Sequence, residues 1–304
     1  MANQSSIRVE IAADAEKFGA LIRGLNLTPP VLVKPNWGTV DCYTEADILD
    51  WTLAAIEGEK LVIESHGWAR NEETLLGKPQ GALTKANLRR GDRWFRESTG
   101  IQAVLEKHQV EFLNLTEEVW AGRRADPEQV RELVEARFAP VAAEEMYARV
   151  PERLFALRGG TILSLTKHKL VFYPLGVSFS VKNLFGLVPG PSRGKYHGTD
   201  HVLLAQSIVD INKIYRSLFA LKGVIEAVHI AGNHAVETER METYPGSGQV
   251  FAGEDTLTLD AYAAALAGRD PNGIDHLRLA ARTFGGWDEQ AVAAAGSAFA
   301  IAAG

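Results

Sequence analysis

Short apolar runs along this chain alternate with longer stretches in which apolar residues recur every three or four positions. Val31-Leu32-Val33-Lys34, bounded by Pro29-Pro30 and Pro35-Asn36, predicts a buried strand entering a turn. Over residues 44–56, Ile48, Leu49, Thr52, Leu53 and Ile56 share one side of a helix, with Thr44 as its cap and Glu45 and Asp47 in its first turn. Residues 60–64 predict a second strand, ending at Ser65-His66-Gly67-Trp68. A helix over 99–108 and a third strand over 110–115 follow. The charged stretch 117–155 is helix-prone, with a start at Asp126-Pro127-Glu128. Gly159-Gly160 opens a strand at 161–165 that runs into Lys167-His168-Lys169. Pro174 and Gly176 bend residues 172–179. Helical spacing returns over 200–219, strand patterns over 224–231 and 246–253, and helices over 257–267 and the Ala-rich end.

Strands alternating with helices predict an α/β protein with mainly parallel sheets flanked by helices. A chain of 304 residues is long for one core. We therefore expect two lobes, 1–158 and 159–304, joined at Gly159-Gly160, with the active cleft between them. The C-terminal helices are free to pack back on the first lobe.

The formal net charge of −6, from 32 basic and 38 acidic side chains, argues against nucleic acid as a partner. The basic cluster at 85–96 reads as a solvated helix face. Cys42 is the one cysteine, which excludes an internal disulfide and a cysteine-bound iron–sulfur cluster and points to a reducing compartment. No haem is expected either. The polar start and the lack of any run of 18 apolar residues predict a cytoplasmic protein without a membrane span. The expected partner is a small anionic molecule; a homodimer stays open.

In α/β sheets ligands collect beyond the carboxyl ends of strands, and four such ends carry reactive groups. Lys34, with Asn36 after it, either extends its ammonium to water or neutralises a carboxylate or phosphate. His66, with Arg70 close behind and Trp68 as a pocket wall or core cap, is a structural hydrogen-bonder or a functional imidazole. His168 lies between two lysines whose charge disfavours imidazolium; either the segment is a basic, solvent-facing turn, or the ring, neutral near pH 7, accepts a proton or binds a metal. Lys182 has apolar flanks and Asn183 beside it, and a buried lysine of lowered pKa serves as base, nucleophile or counter-ion. Gly186, Gly190 and Gly194 permit close backbone approach to a ligand, and Arg193 and Lys195 add charge for an anion. The loop is not of the Walker type, because Gly194-Lys195 is followed by Tyr196. His197 and His201, four apart at an expected helix start, share a face. His229 and His234 are weaker candidates. His108 and His276 read as peripheral, and Asp255 and Asp260 as helix caps.

Three segments carry a resemblance. Val31-Leu32-Val33-Lys34-Pro35-Asn36 is the first. Ser180-Val181-Lys182-Asn183-Leu184-Phe185-Gly186-Leu187-Val188-Pro189-Gly190, with His197, is the second. Ala252-Gly253-Glu254-Asp255 with Leu259-Asp260-Ala261 is the third. Together they resemble the family called "domain of unknown function 362" over about residues 30 to 285. Many members append a ferredoxin-like domain with cysteine clusters, which this chain lacks. The family's usual Lys-x-Lys-Thr-His stands here as Lys167-His168-Lys169 without the Thr-His, and Gly232-Asn233-His234 replaces its usual Gly-x-Gly-Pro.

A more distant similarity is to the nickel-pincer lactate racemases, which share the order His66 with Arg70, His168, Lys182 before Pro189-Gly190, then His197. It implies a two-lobed fold, Lys182 as a cofactor-bearing or substrate-contacting amine, and His197, with His66, on the side of a divalent metal or nickel-pincer-type cofactor. Two functions follow as expectations. One is an enzyme acting on a carboxylate-like metabolite by proton transfer, isomerisation or group transfer, with Lys34, Asn36, Asn183, Arg193, Lys195 and Arg70 holding the substrate and Lys182, His66, His168 and His197 moving protons. The other is a metal- or anion-binding carrier without turnover.

Overall fold

The computed structural model describes residues 7–303 apart from 12, 13, 41, 80, 172–174 and 232–242. His234 lies outside the described residues. The chain opens with strand β1 (Arg8–Ile11) and helix α1 (Ala15–Arg23), the latter capped by Asp14 and burying Phe18, Leu21 and Ile22. The strand β2 (Val31–Pro35) follows, then α2 (Ala46–Ala55), β3 (Lys60–Glu64), α3 (Glu72–Leu75), α4 (Lys85–Ser98), α5 (Ile101–His108) and β4 (Glu111–Asn114). Helices α6 (Leu115–Trp120), α7 (Pro127–Glu135) and α8 (Glu152–Ala156) cross over to β5 (Thr161–Lys169). The short helix α9 (Ser180–Asn183) and the long α10 (Leu204–Leu218) lead to β6 (Ala220–Ala231) and β7 (Thr243–Gly253). Helices α11 (Thr256–Leu266), α12 (Asp275–Phe284) and α13 (Glu289–Ala303) close the chain.

The strands form one seven-stranded sheet in the order β1-β7-β6-β5-β2-β3-β4. Pairs from β6 through β5, β2 and β3 to β4 are parallel; β7 joins β6, and β1 joins β7, antiparallel. The expected α/β class with mainly parallel strands is what the sheet shows. The expected separation into lobes is not visible in it. Strands from both halves share the sheet, and β5 pairs with β2 across the boundary at 158/159, Val31 opposite Thr161 and Lys34 opposite Ser164. The last helices pack mainly within their own half, α13 against α11 and α12 against α10, while Phe284 at the end of α12 also meets Phe138 of the first half at 5.3 Å.

Alternation along the strands divides the core. Leu32 and Ile162 belong to one cluster with Val130, Leu154, Val181 and Ile208, whereas Val33, Leu163 and Leu165 join Phe18, Leu49 and Phe95 on the other side. Helices thus cover both faces, as buried parallel strands require. From β2 the chain proceeds outward to β3 and β4; from β5 it proceeds the opposite way to β6. The crevice beyond the carboxyl ends of β2 and β5 is therefore a topological switch point, where ligands bind in open α/β sheets. Among the described residues no helix is long and apolar enough to cross a membrane.

Two local expectations differ. Thr44 does not cap α2: its hydroxyl accepts from the Asn36 N–H at 2.9 Å and donates to the Leu165 carbonyl at 3.2 Å, tying the ends of β2 and β5 together. The helix expected from residue 200 begins at Leu204, because Asp200 and His201 hold positive φ (51° and 63°).

Gly160 marks the closest backbone approach at the β2–β5 join. A Cβ there would sit 2.3 Å from the Pro30 carbonyl oxygen, and neither backbone yields cheaply. We expect Gly160→Ala to lower unfolding free energy by about 1–3 kcal/mol, the usual cost of overpacking, read by urea denaturation.

Candidate active site

Lys34 ends β2 with a buried side chain, and every donor on its ammonium is taken. The Nζ lies 2.8 Å from Glu64 Oε2, at the end of β3, 2.7 Å from the Pro35 carbonyl and 3.1 Å from Asn183 Oδ1. An ammonium has three N–H groups, so Lys34 has none left for a ligand. Burial lowers its pKa, with the Glu64 carboxylate acting in opposition. Glu64 also accepts from the Ser65 N–H at 2.8 Å. Asn183 returns the contact from α9: its Nδ2 donates to the Lys34 carbonyl at 2.8 Å and to Ser164 Oγ at 3.1 Å.

Gly186 lets the backbone after α9 pass over this pair. A Cβ on it would be 2.8 Å from Lys34 Nζ and 3.0 Å from Glu64 Oε1. The close approach expected of the glycines toward a ligand is here made toward the protein's own ion pair. Gly190 holds φ +59° against Thr116, while a Cβ on Gly194 meets nothing within 4 Å.

A cavity of about 70 Å³ opens beside these groups, lined among others by Lys34, Asn36, Glu64, Ser178, Lys182 and Arg193. Lys182 is partly buried and has no hydrogen-bond or ion-pair partner among the described residues. Burial first, then the charges of Lys169, Arg193 and Lys34, push its ammonium down to about 7. Arg193 donates from Nη2 to the His66 carbonyl at 2.6 Å and has no carboxylate within ion-pair distance among the described residues. Among the described residues Glu64 is thus the one carboxylate lining a cavity that three cations line.

The remaining expected site residues lie around this centre rather than in it. His66 is buried with both ring nitrogens engaged: Nε2 is 2.8 Å from Glu117, and Nδ1 is 3.1 Å from Asn114. Trp120 packs at 5.4 Å from its ring, whereas Trp68, 58% exposed, lines a separate surface pocket with Arg70 and not the Lys182 cavity. Arg70 is fully buried, donating to the Ser65 carbonyl and pairing with Asp92 at 3.2 Å. Lys195 forms a surface pair with Glu145 at 2.6 Å.

His168 is neutral near pH 7 as expected, but the cause differs. Alternation along β5 turns its ring away from Lys167 and Lys169 into the core, between Phe179 (5.2 Å) and Phe251 (6.0 Å), and burial pushes it down to about 4. Lys167 is held by Glu45 (2.8 Å) and Glu226 (2.9 Å). His197 and His201 meet through Nδ1 atoms 2.9 Å apart, brought together by a turn rather than a helix face. Burial, followed by Lys182, His201 and Arg193, pushes His197 down to about 4. Among the described residues no three His, Cys, Asp or Glu side chains gather as a metal would require.

Residues 31–265 match the model of the family described as Domain of unknown function (DUF362). The chain belongs to this family. No curated protein and no solved structure matches it. The match begins at β2 and ends within α11, so it contains every residue that lines the cavity. The likeness to lactate racemases rests on residue order alone, and none of His66, His168 and His197 lines the cavity with Lys182.

Asp260 and His276 carry more than the sequence suggests, whereas Asp255 is the helix cap expected of it. Asp255 caps its own helix, accepting from Leu257 and Thr258. Asp260, fully buried one turn later, caps a different one: its carboxylate accepts from Ser180 N–H at 2.9 Å and Val181 N–H at 2.7 Å, the start of α9. Asn212 of α10 donates to the Val181 carbonyl at 2.7 Å. His276 is not peripheral; it is 1% exposed, neither ring nitrogen has a partner among the described residues, and burial followed by the Lys182 charge pushes it down to about 3. Only its helix periodicity was legible, as an inward position of α12 with Leu277 and Ala280.

A helix of four residues cannot hold itself. We expect Asp260→Ala, which leaves two buried N–H groups without acceptors, to cost about 1–3 kcal/mol in urea denaturation, with Asp260→Asn recovering part of it.

Proposed function

We propose that this DUF362 protein binds a small carboxylate-like metabolite at the switch-point cavity and moves a proton on it with Lys182. The observation that carries this reading is the Lys182 amine beside Arg193, unpaired among the described residues, in a cavity whose one lining carboxylate among them is already committed to Lys34. A buried excess of positive charge is costly until an anion enters. Arg193 and Lys182 supply the attraction, Asn36 and Ser178 line part of the wall with Trp37 and Phe185, and the Lys34–Glu64–Asn183 network fixes the shape. An amine titrating near 7 exists in both protonation states at neutral pH, which suits a general acid–base. Isomerisation adjacent to a carboxylate is the reaction class this fits.

The second reading is an anion carrier without turnover; the small size of the cavity, about 70 Å³, favours it. The two separate on hydrogen exchange. Small carboxylates incubated with the protein in deuterium oxide are followed by proton NMR for exchange at carbon. The enzyme reading expects exchange that Lys182→Met lowers by about 10²–10⁴-fold, the range of general acid–base catalysis. Binding without exchange at any carbon sinks the enzyme reading and leaves the carrier.

Charge linkage gives a second expectation. The Lys182 pKa is lowered on folding, so the unfolded chain binds the extra proton between about 7 and the ordinary lysine value, and stability rises with pH through that window. The gain in stability from Lys182→Met is expected to be largest below pH 7 and to shrink above it. Anion affinity is expected to fall as pH rises through 7. Affinity independent of pH between 6 and 8.5 contradicts the role given to the amine.

A further inference from the structure

Asn36 sits at the mouth of β2, 7% exposed, and lines the same cavity as Lys182 and Arg193. Which way its amide faces is settled by the residues behind it. Asn183 Nδ2 is committed to two acceptors, the Lys34 carbonyl at 2.8 Å and Ser164 Oγ at 3.1 Å, while its Oδ1 accepts from Lys34 Nζ at 3.1 Å. The Asn36 atom that approaches Asn183 Oδ1 at 3.5 Å must therefore be a donor, its Nδ2. That leaves Asn36 Oδ1 as a buried acceptor with no partner among the described residues. A buried acceptor without a donor is costly, and in a cavity wall it marks what the cavity is built to receive.

The free cations and the orphan acceptor make different demands. Lys182 and Arg193 call for negative charge; Asn36 Oδ1 calls for a hydrogen-bond donor. An unsubstituted carboxylate satisfies the first and leaves the second unmet. We infer that the ligand of this cavity is a small anion carrying its own hydroxyl donor close to the charged group, received by Asn36 Oδ1 while Lys182 and Arg193 hold the charge. This rests on the anion-binding reading above and adds to it the recognition of a hydroxyl. About 70 Å³ restricts the ligand to a few heavy atoms. A site built to hydrogen-bond a hydroxyl rejects the analogue that lacks one, because its polar group is then left unpaired.

The test compares glycolate with acetate, which bear the same charge and differ by one hydroxyl. Affinities are measured by isothermal titration calorimetry on the full chain at pH 6.5. The inference expects glycolate to bind about tenfold more tightly than acetate, the worth of one buried hydrogen bond. In Asn36→Leu the ratio of the two affinities is expected to collapse toward one, with circular dichroism confirming the fold. Equal affinities in the unaltered protein overturn the hydroxyl inference while leaving anion binding intact. A ratio that survives in Asn36→Leu overturns the role of Asn36. If neither anion binds, or binding is indifferent to Lys182→Met, the anion reading itself fails and this inference with it.

Discussion

The Lys34 ammonium, with all three donors spent inside the protein, is the constraint on which the site depends. It joins the end of β2 to the end of β3 through Glu64 and to α9 through Asn183, 149 residues away. The reciprocal bond from Asn183 Nδ2 to the Lys34 carbonyl closes the link in both directions. A buried ion pair of this kind is poor evidence for net stability, since desolvation offsets much of the attraction. Its geometric consequence is firmer. Glu64 is paired with Lys34, and although its charge also acts on Arg193, it forms no ion-pair contact with Arg193 or Lys182. Those two are left as uncompensated charge at the switch point, with Lys169 adding to the field on Lys182.

Placement of that charge is the work of elements without stability of their own. Helix α9 has four residues, too few to form alone. Asp260 accepts its first N–H groups, Ser164 donates to the Ser180 carbonyl and Asn212 to that of Val181. Burial pushes the Asp260 carboxyl up to about 7, against the backbone donors that favour its ionised form. The amine and the carboxyl that positions it are thus both sensitive to pH in the neutral range. Gly186 then carries the chain across the Lys34–Glu64 pair so closely that a Cβ there would displace the paired side chains.

Much of this was legible along the chain, and the failures have physical causes. Strand ends could be read because apolar runs stop at Lys34, Glu64 and Lys167, and the family motif around Lys182 fell where the cavity is. The single sheet could not, since the β2–β5 pairing joins residues about 130 apart and leaves no local trace. Flanking residues misled for His168: neighbours along a strand point to opposite faces, so lysines on either side say little about the ring between them. The same limit hid Asp260, whose partners lie 80 residues upstream, and His276, whose surroundings come from other elements. The histidines that looked most reactive, His66 and His197, proved to be engaged with neighbouring side chains.

The account stands on an amine without a counter-ion, and titration of that amine tests it most directly. Lysine carbon-13 chemical shifts, followed from pH 5 to 11 and assigned by comparison with Lys182→Arg, report the side chain in the folded protein. The structure calls for a Lys182 midpoint at about 7, shifted upward when a small anion is added. A midpoint near the ordinary lysine value, unmoved by anions, would mean that water or a carboxylate already compensates the charge, and the proposed centre would have no basis.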